Sequence, residues 1–452
     1  MTDLNFPMSR RSLLRATLSG VALAPLVALA PMRAHVWAES GASPLPVDEF
    51  DAGVVTAWTD EILAVIRATP GYSPPVAARA IGYTGVALYE SLVPGIRERR
   101  SLRGVVSGLP GLIHPAADTA YAWPVVASAA LAEITRLLFP TAPPERQIAI
   151  NQLEAAQLAT APRAMQVRSV KRGRDVARAI FEWSQSDGGH EGFRRNVDPT
   201  YLPPRGPGLW EPTPPAFLPP LQPRWGSNRT FIGYGHGAQP GPPPSYSTDP
   251  GSVCFAEAND VRVTVESLSM EQRVIAEFWA DDPGRTATPA GHSLSIFSQL
   301  ARQQDISLAA AAEGFARLGM ALSDAFVMCW RAKYLYNLLR PITYIRQVIE
   351  PGWGNPLPVT TPPFPEYTSG HSVQSGAAAA VLSSLLGPVA FVDRTHEPRG
   401  LGAREFPSVE AAASEAAISR LYGGIHFRSA IERGLEQGGC IGGQVARLPL
   451  RV

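Results

Sequence analysis

Apolar residues recur at intervals of three and four along residues 54–93, 121–138 and 144–183, the spacing that lays one buried stripe along a helix. Pro70 and the pair Pro74-Pro75 divide the first stretch, because proline lacks the amide donor a continuing helix needs. The periodicity returns at 261–279, at 293–302 and, most strongly, from 308 to 339. Gly291-His292 lies ahead of the second of these and is a candidate for starting it. No alternating apolar and polar run of useful length occurs. The pattern predicts an all-α protein with two helical regions, each of bundle type.

Between 199 and 250 the helical pattern gives way to Pro, Gly and aromatic residues, as in Tyr201-Leu202-Pro203-Pro204 and Gly241-Pro242-Pro243-Pro244. Proline at that density excludes both helix and central strand. The segment is either a flexible linker or an ordered wrap over the helices. Trp210, Phe217, Trp225, Phe231 and Tyr234 favour the wrap, since disordered segments carry few aromatics.

The first residues follow a different logic. Arg10-Arg11 precedes an apolar run at 16–30, and Val36-Trp37-Ala38 offers a small-residue cleavage site. That order is of a secretory signal, and the paired arginines resemble the twin-arginine type. A membrane anchor is the other reading, but the run is shorter than the ~20 residues a spanning helix needs and contains Pro25. The expected organisation is a signal at 1–38, an N-terminal helical region at 39–198, the proline-rich connection at 199–250 and a C-terminal helical region at 251–452. Removal of the signal leaves no stable membrane span. Export to the periplasm or beyond is expected.

Composition narrows the partners. The chain has 452 residues, 45% of them hydrophobic, and a formal net charge of +1 without runs of basic residues. No nucleic-acid surface is expected, and the substrate should be small. Cys254, Cys329 and Cys440 are too few and too scattered for a zinc site or a disulfide framework, although one bridge between Cys254 and Cys440 stays open.

Of 40 basic side chains only Lys171 and Lys333 are lysines. A chain so biased toward arginine keeps lysine where a compact point charge serves and a planar fork does not. Lys333 stands seven residues before Arg340-Pro341, or nearly two helical turns, so both cations should project from one face of the long helix with Trp330 a turn earlier. Ser369-Gly370-His371 runs into an alanine-rich helix, whose unpaired N-terminal amides favour an anion. Ser419-Arg420 follows, and Gly423-Gly424 can break the chain so that His426 swings back toward Arg420. Cations, amide donors and imidazoles in this order predict an oxyanion pocket in the C-terminal half.

These residues resemble the vanadium-dependent haloperoxidases and the lipid and acid phosphatases that share their fold. The shared pattern is Lys, six residues, Arg-Pro; then Pro-Ser-Gly-His; then Ser-Arg, three residues, Gly, one residue, His. Lys333 to Arg340-Pro341 fits it; Thr368-Ser369-Gly370-His371 fits with threonine for proline; Ser419-Arg420 through Gly424 to His426 fits fully. The length and the proline-rich middle also look like the bacterial chloroperoxidase-type branch.

The resemblance implies vanadate as cofactor, with phosphate competing, and hydrogen peroxide, halide and a small organic acceptor as partners. It makes His426 the vanadium ligand and gives the vanadate oxygens to Lys333, Arg340, Arg420, Ser369 and Gly370. His371 becomes the acid–base group, and Lys333 also polarises the peroxide so that halide is oxidised to hypohalous acid. Trp330 and Phe364 match the aromatic residues of a chloroperoxidase halide pocket. The same cradle would suit a phosphatase with His426 as nucleophile and His371 as general acid. An exported phosphate- or vanadate-binding protein is the third reading. One position departs from the pattern: where family members often place an aspartate that orients the metal-binding imidazole, this chain has Ala430, so a carbonyl or another acid, such as Asp281 or Glu432, must serve.

Overall fold

The structure, a computed structural model, describes residues 45–112, 119–235, 238–354 and 356–452. The expected export signal lies outside them. The first helices are α1 (Gly53–Ala68), α2 (Pro74–Leu92), α3 (Trp123–Leu138), α4 (Pro144–Ala159) and α5 (Arg163–Ser184). After the proline-rich segment come α6 (Val253–Glu266), α7 (Met270–Phe278), α8 (Thr288–Gln303), α9 (Leu308–Tyr336), the single turn α10 (Pro341–Tyr344), α11 (Gly370–Leu386), α12 (Val409–Tyr422) and α13 (Arg428–Ala446). Strands β1 (Phe391–Asp393) and β2 (Arg404–Phe406) form a short antiparallel pair, too brief to leave an alternating signature.

The all-α expectation holds, with three local differences. The run at 261–279 is two helices, because Ser269 caps α7 in a reciprocal capping box with Gln272. The run at 144–183 is also two, parted before Arg163 by Pro162. Gly291 and His292 lie inside α8, not ahead of it.

The long α9 is buried along nearly its whole length, and α2 packs along it. One apolar core runs from Val47 to Leu450 and joins residues of both helical regions. The helix that matters most for the site, α11, lies against α13 through a stripe of glycines at four-residue spacing. A Cβ at Gly438 or Gly442 would collide with the Val373 or Ala377 carbonyl, and one at Gly434 would come within 2.7 Å of the Ser372 side chain. Small residues there let the start of α11 approach the turn that precedes α13.

The proline-rich segment is an ordered wrap among its described residues, as its aromatics predicted. Trp210, Trp225 and Phe231 are buried. Its backbone ties to the end of α9 through Trp210 N–H donating to the Asn337 carbonyl at 2.7 Å and Leu339 N–H donating to Gly208 at 3.0 Å. Asp324 of α9 accepts from the amides of Phe231 and Ile232 and from the Tyr234 hydroxyl. These ties place Leu221 over the C-terminal half. Cys254, Cys329 and Cys440 are all free thiols, so no bridge joins Cys254 to Cys440. No helix of the described residues is long and apolar enough to cross a membrane.

Candidate active site

Lys333 and Arg340 do not share a helix. The chain leaves α9 at Asn337, whose φ of 46° is left-handed, and Arg340 is extended at φ −81° and ψ 154°. A break, not a continuous face, brings the two cations together. Left-handed Asn is the usual non-glycine solution at a helix end, and Pro341 then starts a new turn at its N1 position. Lys333 Nζ donates to the carbonyls of Pro365 at 2.9 Å and Glu366 at 2.8 Å. Arg340 Nε donates to Phe364 at 2.8 Å and Nη1 to Ile425 at 2.9 Å, while Nη1 also lies 3.3 Å from His426 Nε2. One guanidinium thus joins the segment before α11 to the turn before α13.

Ser369 caps α11 as expected, its hydroxyl accepting from Ser372 N–H at 3.4 Å, and Gly370 is the first helical residue. His371 follows one residue later, hydrogen-bonded to the Trp279 main chain, with Nε2 buried and without a partner. Arg420, in the last turn of α12, donates to the Ala276 carbonyl at 3.1 Å and to Ser419 Oγ at 3.0 Å. The break after α12 is where the glycines placed it: Gly423 ends the helix and Gly424 has φ 74°. His426 then sits within the fields of Arg340, Lys333, Arg420 and His371 together.

The acid that meets the His426 ring is neither Asp281 nor Glu432. Glu366 Oε1 lies 2.8 Å from His426 Nδ1 and 2.9 Å from Phe427 N–H, which donates to it. Asp281 is bound elsewhere, and Glu432 is exposed. The Ala430 position contributes through its backbone, its carbonyl accepting from Ser369 N–H at 3.0 Å. The sequence did carry a signal for Glu366: it is the only acidic residue between 351 and 392, set among prolines and aromatics.

Burial dominates the electrostatics. It lowers the Lys333 ammonium to about 7 and the Arg340 and Arg420 guanidinium groups to about 10, because each charge has left water without a full set of counter-charges. It also pushes both His371 and His426 well below the ordinary histidine value, toward neutral imidazole, and lifts Glu366 to about 8 against the pull of Lys333 and Arg340. Arg340 Nη2 and Ser372 Oγ are buried without partners, like His371 Nε2. Unspent donors and three desolvated cations around one imidazole are the complement of a tetrahedral oxyanion. The residues present therefore fit vanadate or phosphate.

A cavity of about 140 Å³ opens on this group, lined by Gly370, His371, Arg420 and His426 at its floor. Lys333, Arg340 and Ser369 do not line it, and each is fully buried. Leu221 of the wrap, Trp330, Phe364 and several prolines form the walls. Trp330 and Phe364, matched from sequence, do meet, with ring centroids 4.9 Å apart, and the Lys333 ammonium lies 5.0 Å from the Phe364 ring. The Trp330 N–H is already used, donating to the Leu221 carbonyl at 3.2 Å.

Beside the cavity lies a charged cluster that the sequence did not announce. His292 of α8 holds Asp281 through Nδ1 at 2.8 Å and Asp393 through Nε2 at 2.7 Å, all three buried. Both ring nitrogens facing carboxylates require an imidazolium, and these partners raise His292 to about 10 despite burial, which opposes the shift. His396 Nε2 lies 3.2 Å from the other oxygen of Asp281.

Comparison with known proteins agrees with this geometry. The family described as the VCPO second helical-bundle domain matches residues 313–451, which contain every site residue predicted above. The solved structure of a bacterial vanadium-dependent iodoperoxidase superposes with a TM-score of 0.81 at 34% sequence identity, covering 89% of this chain and 98% of that one. A bacterial vanadium-dependent chloroperoxidase in its holo form gives 0.63 at 15% identity over 85% of this chain and 93% of its own, a likeness of fold alone. No curated protein matches the chain.

Proposed function

Because this chain belongs to the vanadium-dependent haloperoxidase family, we propose that Lys333, Arg340, Arg420 and His426 hold vanadate and that iodide is the halide it oxidises. The enzyme is a vanadate-dependent haloperoxidase that uses hydrogen peroxide to convert halide to hypohalous acid. The observation that carries the site assignment is the approach of Arg340 to His426 Nε2 beside donors that have no other partner. When bound, vanadate supplies a Lewis-acid centre that activates peroxide toward halide without changing oxidation state.

The chain's own residues do the rest. His426 offers the Nε2 lone pair. Arg340 and Arg420 neutralise and orient oxyanion charge, with the Ser369 hydroxyl and the Gly370 amide adding directed donors at the helix start. Lys333, pinned by two carbonyls, has in its ammonium form one further N–H to offer a polar partner. His371, held toward the neutral form and with Nε2 free of protein partners, would accept a proton at Nε2 from hydrogen peroxide and release it again later in the cycle. The apolar walls exclude water, which strengthens each of these interactions.

Iodide is favoured by what those walls lack. An ion entering between Leu221, Pro362, Pro363, Trp330 and Phe364 must shed water, and the Trp330 N–H is not available to replace it. The most weakly hydrated halide loses least. The relative that shares 34% identity is itself described as an iodoperoxidase, which supports the same reading. A cavity of about 140 Å³ is smaller than the ~300 Å³ a bound organic molecule usually occupies, so the acceptor reacts with hypohalous acid released from the site. Residues 1–38, with Arg10-Arg11 ahead of an apolar run, act as an export signal of twin-arginine type.

Protein loaded with orthovanadate should form triiodide from peroxide and iodide, give no chlorination of monochlorodimedone, and lose activity as phosphate is added. Chloride turnover at a comparable rate would refute the halide assignment. Hydrolysis of p-nitrophenyl phosphate without any halide oxidation would instead support the phosphatase reading.

A further inference from the structure

We propose that Glu366 is a positioning residue that fixes the tautomer and the aim of His426, and through its main chain the place of Lys333; its bearing on vanadate rests on the site reading above. The tautomer follows from the partners. Arg340 Nη1 can only donate, and it lies 3.3 Å from His426 Nε2, so Nε2 faces it as acceptor. The ring proton then sits on Nδ1, which donates to Glu366 Oε1 at 2.8 Å. That leaves the Nε2 lone pair on the side of the cations and the cavity. With the proton on Nε2 the ring would present an N–H to a guanidinium and could not act as a ligand.

Three further ties make Glu366 a junction. Its Oε1 also accepts from Phe427 N–H, which fixes the turn carrying His426. Its carbonyl accepts from Lys333 Nζ at 2.8 Å, and its amide donates to the Leu338 carbonyl at 3.0 Å, two residues before Arg340. One residue thus connects the end of α9, the segment before α11 and the turn before α13. It is fully buried, and its Oε2 has no partner, so no surface role explains its presence. An acid placed in an apolar interior and bonded through one oxygen to a ligating imidazole is an outer-shell orienting group.

Long-range nitrogen–proton NMR of the vanadate-free protein reads the His426 tautomer directly. The wild type should show a protonated Nδ1 and a pyridine-like Nε2. Glu366→Leu should shift the ring toward the Nε2–H form and weaken orthovanadate binding by about 10–100-fold in isothermal titration. Glu366→Gln retains an acceptor oxygen and should restore both the tautomer and most of the affinity. A merely structural role would lower the melting temperature in both variants without separating them. A wild-type His426 carrying its proton on Nε2 overturns the proposal, and this holds even if Glu366→Leu does not fold. Unchanged tautomer and affinity in a folded Glu366→Leu variant overturn it too, leaving the haloperoxidase reading intact. Loss of the vanadate reading alone would appear as a wild type with the Nδ1–H tautomer and no vanadate binding, and the positioning of His426 would then stand.

Discussion

His426→Ala is expected to release vanadate, and His371→Ala to retain it while turnover collapses. Both imidazoles line one cavity, His426 buried and His371 half-buried, and both are shifted toward the neutral form, yet their contacts differ. His426 points Nε2 at the Arg340 guanidinium, and its removal takes away the neutral lone pair that faces that cation. The loss should exceed the ~10–100-fold that follows removal of an outer-shell partner. His371 has Nε2 free of protein partners and its ring steadied by the Trp279 main chain, the arrangement of a proton carrier. Its deletion leaves Lys333, Arg340, Arg420 and His426 in place, so binding persists while kcat falls by about 10²–10⁴. Equilibrium dialysis against orthovanadate, paired with iodide turnover on the same samples, separates the two effects. Equal retention of vanadate by His426→Ala and wild type would falsify the ligand assignment.

The order of Lys333, Arg340, Ser369-Gly370-His371, Arg420 and His426 was legible because lysine and histidine are scarce in this chain and, like the arginines, are costly to bury unpaired. Their convergence needed only helix starts, helix ends and the Gly423-Gly424 turn, all of which local rules describe. The continuity of α9 through Arg340 was misread for a related reason. Apolar periodicity persists across Leu338 and Leu339, both buried, although the backbone there is no longer helical. Periodicity reports burial, and here Leu338 and Leu339 pack among Val261, Ile342 and Leu421 while their backbone pairs with the wrap instead of continuing the helix.

Glu366 is not among the acids the sequence offered for orienting His426, which were Asp281 and Glu432. The contact with His426 spans 60 residues and depends on how closely α11 approaches α13, which the glycines at 434, 438 and 442 set. Such a distance has no periodic trace. His292 was hidden for the opposite reason: it lies in the interior of α8, and its partners Asp281 and Asp393 come from a loop and a three-residue strand.

His292→Leu should cost about 3–5 kcal/mol of folding stability, because it strands two buried carboxylates that now share one cation. The expected loss is large since Asp281 and Asp393 have almost no contact with solvent. Its pH dependence follows from the shifts. His292 is raised from 6.5 to about 10, so its contribution is complete below about 6.5 and fades as pH rises through about 10. Burial acts to raise Asp393, but His292 and Thr395 outweigh it and bring the carboxyl from 3.8 to about 2; its share is complete above 3.8 and disappears as pH falls through about 2. Denaturant unfolding should therefore show the widest gap between wild type and variant from about pH 4 to 6.5, narrowing toward pH 10. The cluster also reaches the chemistry. The Trp279 ring stacks on His292 at 4.5 Å with an interplanar angle of 19°, and the same residue's main chain holds His371. Folded His292→Leu enzyme, measured well below its unfolding transition, should lose kcat through a misplaced His371 while binding vanadate nearly as before. A variant as stable as wild type across that pH range would mean that the carboxylates find protons or another cation, and that the imidazolium is not what holds this wall of the site.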